Sequence, residues 1–371
     1  MKWSWRLGQV AGIDLYLHAT FLILLGWFGL YYYQFRHSFV DMANGLVFIG
    51  TIFFIVILHE VGHALAARRY GIQTRDITLL PIGGVAQLER MPEKPGQELV
   101  VALAGPAVNV ALALALFPFL YWSKALADLT SAGLVGAPFL LQLFKWNLGM
   151  ALFNLIPAFP MDGGRVLRAG LAMWLPRVRA TNLAATIGQA LALVGGCVGL
   201  LKGHPYWMLI ALFVWMGASG EASLVQFNSS LKGVLIQQVM VTDFRTLAPG
   251  EALSVALAHV LAGSQQDFPV VEEGRVIGLL PRAELFSALA KRGQEALVGD
   301  VMLRKFETAA PLEPAEEAFA RLQECDCRSM PVVQNGQVLG LVTAENVGEF
   351  LMIQAALRGE RPGKMAKRLT K

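Results

Sequence analysis

The run His59-Glu60-Val61-Gly62-His63 puts three side chains capable of metal chemistry at helical spacing. Residues four apart lie on one face of a helix, so both imidazoles can reach one ion. Zinc takes imidazole nitrogens at about 2.0–2.1 Å, and a catalytic zinc site keeps one position open for water. Glu60, one residue along, stands where a general base for that water is needed. The run continues Phe53-Phe54-Ile55-Val56-Ile57-Leu58, so it lies inside a long apolar segment. Three titratable side chains there are costly and mark a functional site.

Two imidazoles leave a third protein ligand to be found. The candidate is Asp162, in Asn154-Leu155-Ile156-Pro157-Ala158-Phe159-Pro160-Met161-Asp162-Gly163-Gly164. A carboxylate oxygen suits zinc at about 2.0–2.2 Å. The two prolines and two glycines interrupt an apolar segment and leave backbone around Asp162 that only a cavity or packed protein can accommodate at membrane depth. The other reading is a loop aspartate capping a helix that starts at Gly163. A two-histidine site in need of a carboxylate favours the ligand.

These two motifs together resemble the site-2 protease family of intramembrane zinc metalloproteases, peptidase family M50. Ala104-Gly105-Pro106-Ala107-Val108-Asn109 and Gly83-Gly84-Val85-Ala86 also match that family's pattern, and the resemblance covers about residues 43–175. It implies one Zn2+ per chain held by His59, His63 and Asp162, with Glu60 as catalytic base. It also implies a role for Asn154 in substrate binding or oxyanion stabilisation, and cleavage of membrane-embedded or membrane-proximal protein segments. Gly83 and Gly84 sit between two alternating runs, 76–80 and 85–88, that read as a hairpin. An exposed edge there would bind an unwound substrate by strand addition; the alternative is a plain surface hairpin. Gly105 and Asn109 read as helix-packing residues, a small residue for close approach and an amide for an interhelical hydrogen bond.

The elements that must position these residues are apolar spans. Of the 371 residues, 55% are hydrophobic and only 16% charged, with a mean hydropathy of +0.51. That excludes a disordered chain and argues against a wholly soluble one. Three cysteines exclude a disulfide-stapled secreted scaffold. About six spans of membrane-crossing length are expected, near 17–33, 43–67, 99–122, 135–156, 183–201 and 206–224. Lys2 and Arg6, then Arg68, Arg69, Arg75, Arg90 and Lys94, then Arg165, Arg168, Arg177 and Arg179 all fall on one side of such a bundle. The Lys/Arg bias makes that side cytoplasmic, with both termini there. His63 lies five residues before Arg68, about 7–8 Å from that face at 1.5 Å per residue. The net charge of +4 is concentrated at the end, because residues 358–371 hold six Lys/Arg and one Glu, or +5, leaving −1 for the rest. No nucleic-acid-binding body is expected.

After about residue 227 the composition becomes ordinary and an internal repeat begins. Val239-Met240, Pro249, Pro269-Val270-Val271, Gly274 and Gly278 recur 62 residues later as Val301-Met302, Pro311, Pro331-Val332-Val333, Gly336 and Gly340. Each copy reads helix, strand, turn glycine, strand, helix. The repeat resembles a tandem cystathionine-beta-synthase (CBS) pair, which implies a regulatory α/β module and a candidate homodimer contact. Thr343-Ala344-Glu345-Asn346 and Pro281-Arg282-Ala283-Glu284 depart from the family's Thr/Ser-x-x-Asp ribose signature. Adenine nucleotide is therefore expected to bind weakly, if at all.

The expected architecture is a polytopic α-helical membrane protein followed by a cytoplasmic α/β tandem CBS domain. The expected divisions are 1–228 for the protease, 229–352 for the CBS pair (copies about 235–292 and 297–352) and 353–371 for a basic tail. The expected function is a zinc metalloendopeptidase acting on transmembrane protein substrates within the lipid bilayer, modulated by the CBS pair. The alternative is a CBS-gated transporter or channel.

Overall fold

The computed structural model describes residues 3–81, 83–88, 91–124, 138–263, 265–325 and 329–357. The basic tail from residue 358 and the start of the fourth expected span, 135–137, lie outside the described residues. The chain divides into two compact units, Met1–Ala222 and Ser223–Lys371.

The first unit opens with a hairpin, β1 (Ser4–Val10) and β2 (Ile13–His18), followed by α1 (Ala19–Arg36) and α2 (Phe39–Arg68). Strands β3 (Thr74–Leu80) and β4 (Gly83–Leu88) complete a four-stranded sheet of order β1-β2-β3-β4. β2 and β3 run parallel and the outer pairs antiparallel. β4 is thus an edge strand, as is β1. Helices α3 (Pro95–Trp122), α4 (Phe139–Asn154), α5 (Asp162–Leu171), α6 (Arg177–Leu201) and α7 (Pro205–Leu231) follow. Large apolar side chains stay exposed on α6 and α7, among them Leu193, Val194, Leu209, Phe213 and Met216. Such a surface belongs in hydrocarbon rather than water.

Four helices among the described residues are long and apolar enough to cross a membrane: α2, α3, α6 and α7. The expected count of about six is not established. α4 has 16 residues, about 24 Å at 1.5 Å per residue against a hydrocarbon core of roughly 30 Å. α1 has 18 residues, about 27 Å at the same rise. The N-terminal hairpin escapes a reading by composition because Leu15, Tyr16 and Leu17 merge with the apolar run behind them.

The second unit shows the repeat as paired structure. Copy one carries α8 (Leu253–Ala262), β5 (Phe268–Glu272), β6 (Arg275–Leu280) and α9 (Arg282–Arg292). Copy two carries α10 (Ala315–Glu324), β7 (Ser329–Gln334), β8 (Gln337–Thr343) and α11 (Ala344–Leu357). Both hairpins turn through two positive-φ residues, Glu273-Gly274 and Asn335-Gly336, the arrangement that matches strand twist in a two-residue turn. The copies exchange backbone pairs reciprocally: Val241 bridges Leu341, and Leu303 bridges Leu279. Ser329 Oγ also donates to buried Asp267 Oδ2 at 2.8 Å, between two positions equivalent in the repeat.

Candidate metal centre

Helix α2 carries His59 and His63 on one face, with their Nε2 atoms 3.1 Å apart. Asp162, the first residue of α5, brings Oδ2 to 3.2 Å from His59 Nε2 and 3.1 Å from His63 Nε2. All three are buried, and one ligand atom from each lies within 4.8 Å of the others. Ligands about 2.0–2.2 Å from a tetrahedral ion stand roughly 3.3–3.6 Å from one another, so a spacing of 3.1–3.2 Å needs only a small outward shift to hold zinc. Asp162 makes no helix cap; the N-cap of α5 is Met161.

The far nitrogens of the imidazoles support the same orientation. His59 Nδ1 lies 2.5 Å from Asn109 Oδ1, and His63 Nδ1 lies 2.7 Å from the Val101 carbonyl oxygen. Both partners accept, so the ring protons belong on Nδ1 and the Nε2 lone pairs face each other and the carboxylate. Such mutually repelling groups suit a shared cation, and an oriented second nitrogen is the usual support of a metal-bound histidine. Asn109 is itself held, donating from Nδ2 to Asn147 Oδ1 at 3.1 Å, while Asn147 Nδ2 donates to the Leu143 carbonyl at 2.9 Å.

Close helix approach makes this geometry available. A Cβ at Gly62 would come within 2.9 Å of the Ala104 carbonyl oxygen, and one at Gly105 would strike the Nε2 atoms of both histidines. Asp162 is delivered by a tightly folded loop. Cβ atoms at Gly163 and Gly164 would run into the backbone of 155–156 and 158–159. Ala158 and Phe159 are buried, and the loop packs under Gly188 of α6 and Gly217 of α7. That packing is what irregular backbone requires at membrane depth. Arg165 Nη1 stands 4.0 Å from Asp162 Oδ1.

Glu60 projects beside the histidines, and β4 lies against it. A Cβ at Gly84 would meet Glu60 Cγ at 3.0 Å and Val56 Cγ1 at 2.9 Å. The edge strand therefore runs past the glutamate, with Gly83 and Gly84 at its start. Asn154 is the last residue of α4, half-buried, and its side chain makes no hydrogen bond among the described residues. The structure does not join it to the His-His-Asp cluster.

Two features lie outside what residue types alone indicate. Asn109 makes the expected interhelical hydrogen bonds, to Asn147 of α4 and to α2, but its partner on α2 is His59, which residue type alone does not indicate; its place on the face of α3 shared with Gly105 is the available signal. Arg168, expected as a loop cation, is fully buried in α5.

The pattern of Peptidase family M50 matches residues 47–195, and CBS domains match 236–291 and 298–352. The chain is 30% identical over 352 residues to a zinc metalloprotease of Methanocaldococcus jannaschii, covering 94% of this chain and 96% of that protein. Stage IV sporulation protein FB of Bacillus subtilis is 30% identical over 167 residues, 44% of this chain and 54% of its own. Among solved structures, a site-2 protease from Methanocaldococcus jannaschii shares 37% identity at a TM-score of 0.43, covering 59% of this chain and 95% of that one. A zinc metalloprotease matched along nearly its whole length, and a family pattern that spans the helix of His59 and the loop of Asp162, lead to one conclusion: the chain belongs to peptidase family M50 and carries a tandem CBS pair after its membrane helices.

Proposed function

We propose that in this integral-membrane zinc metalloprotease His59, His63 and Asp162 hold the ion and Glu60 is the general base for peptide-bond hydrolysis. The observation that carries the reading is the convergence of two Nε2 atoms, from a helix long and apolar enough to span a bilayer, with one Oδ2 atom from the start of α5, all within hydrogen-bond range. Zinc bound there supplies Lewis acidity toward an amide carbonyl and toward water. Glu60 takes the proton of the attacking water and passes it to the leaving amine. The edge of β4 pairs with an unwound segment of a transmembrane substrate and lays it along Glu60, with Gly83 and Gly84 keeping the strand close. Asn154 donates from its amide to the substrate carbonyl. The gated-transporter reading gives Glu60 no task and is not kept.

The finer assignments belong to the same proposal. Both termini face the cytoplasm, as the Lys/Arg bias of the loops favours. Residues 1–228 form the protease, 229–352 the regulatory pair and 353–371 a basic tail. The CBS pair modulates cleavage and is the candidate contact for a homodimer, with at most weak affinity for adenine nucleotides. Comparative proteomics of membranes holding wild type or Glu60→Gln tests the function: uncut membrane proteins accumulate with the variant, and identical membrane proteomes would contradict the proposal.

A further inference from the structure

Helix α5 carries a second buried charge six residues after Asp162. The Arg168 side chain is 1% exposed. Its Nε donates to Glu98 Oε1 of α3 at 2.7 Å. Its Nη2 lies 2.5 Å from the same oxygen, too poorly aligned to count as a hydrogen bond. Its Nη1 pairs with Glu221 Oε1 of α7. The guanidinium carbon also stands 5.2 Å from the centroid of Phe159, in the loop that delivers Asp162. Glu98 is 2% exposed and Glu221 27%, so the cluster is largely removed from water.

A buried ion cluster gains little as a source of stability, since desolvation offsets most of the attraction, but it specifies a unique arrangement of the groups it joins. Here it joins the two sides of the metal centre. Helix α3 holds both outer partners of the histidines, the Val101 carbonyl and Asn109. Helix α5 starts with Asp162. Arg168 ties α5 to Glu98, one turn before Val101 on α3. A slip of α5 along α3 would move Oδ2 away from the two Nε2 atoms, which lie 3.1–3.2 Å off.

We propose that Arg168 is a positioning residue for the metal centre: through Glu98 and Glu221 it locks α5 in the register that aims Asp162 at His59 and His63. The proposal rests on the reading of those three residues as zinc ligands. A planar guanidinium serves here because one side chain must bind two carboxylates at fixed angles, which the compact ammonium of lysine does less well.

The test uses the full chain in nanodiscs and reads Zn2+ affinity by chelator competition and the visible absorption of Co2+ in place of zinc. Removing Arg168 alone strands a buried carboxylate, so the main variant is the neutral pair Glu98→Gln with Arg168→Gln. Glu221→Gln is a milder second variant that keeps the Arg168–Glu98 pair. Asp162→Ala serves as the reference loss of a ligand. Disturbing the support of a metal ligand typically lowers affinity about 10–100-fold, the fall expected for the neutral pair together with a changed Co2+ spectrum. Glu221→Gln should move both readouts the same way by less. A folded neutral pair, or, where that pair does not fold, a folded Glu221→Gln, with wild-type affinity and spectrum would overturn the role of Arg168 while Asp162→Ala still loses metal. Wild-type affinity in Asp162→Ala would instead overturn the ligand reading and the proposal with it.

Discussion

Asn109 Oδ1 sits 2.5 Å from His59 Nδ1, on the side of the ring opposite Asp162. The amide oxygen holds the ring proton on Nδ1 and leaves the Nε2 lone pair toward Asp162 and His63. Asn109→Leu removes that acceptor and should lower zinc affinity about 10–100-fold. Asn109→Asp keeps an acceptor and should lose less. Chelator competition measures both; equal affinity for wild type and Asn109→Leu would show that the contact does not orient the ligand.

Gly105 lies against the two Nε2 atoms, where even a methyl group would overlap both imidazoles. The obstacle is two packed rings rather than a flexible side-chain end. Gly105→Ala should therefore strip the metal centre while the CBS pair, a separate compact unit with its own core, keeps its fold. Metal analysis together with limited proteolysis reads both. Full zinc occupancy in Gly105→Ala would contradict the packing described.

Glu60 should separate from its neighbours by what it leaves intact. Glu60→Gln keeps size and burial but cannot take a proton. Zinc content should remain that of wild type while peptide hydrolysis falls by at least the roughly 10²–10⁴-fold that general acid–base catalysis contributes. Turnover within a few fold of wild type would assign the base elsewhere.

The convergence of His59, His63 and Asp162 was legible because both halves of the cluster announce themselves locally. His59 and His63 are related by helix geometry, and Asp162 follows helix-breaking prolines. The residues that orient them were not, since Asn109 and Val101 reach the histidines only through the approach of α3 to α2 at Gly62 and Gly105. Arg168 read as one of several loop cations, and nothing near it in the chain indicates the distant Glu98 and Glu221. Short β-branched and leucine runs on either side of a turn glycine marked the CBS hairpins well. β1 and β2 went unseen although they pair locally as a hairpin, because Leu15, Tyr16 and Leu17 run into the apolar segment behind them; the parallel pairing of β2 with β3 joins residues about sixty apart, beyond any local pattern.

The ribose-signature positions of copy two are occupied by each other. Asn346 donates its backbone N–H to Thr343 Oγ1 at 3.1 Å, and the two side chains are in close contact. Asn346 offers an amide where a carboxylate would accept ribose hydroxyls, and Pro281 offers no hydroxyl in copy one. Calorimetric titration of the full chain with AMP should yield a dissociation constant no tighter than millimolar. A micromolar value would show that these departures do not abolish the site.

His59, His63 and Asp162 are proposed to hold one catalytic zinc jointly. Elemental analysis of purified wild type, His59→Ala and Asp162→Ala tests it most directly. One zinc per chain is expected in wild type, with a large loss in each variant. Equal zinc in wild type and Asp162→Ala would contradict it.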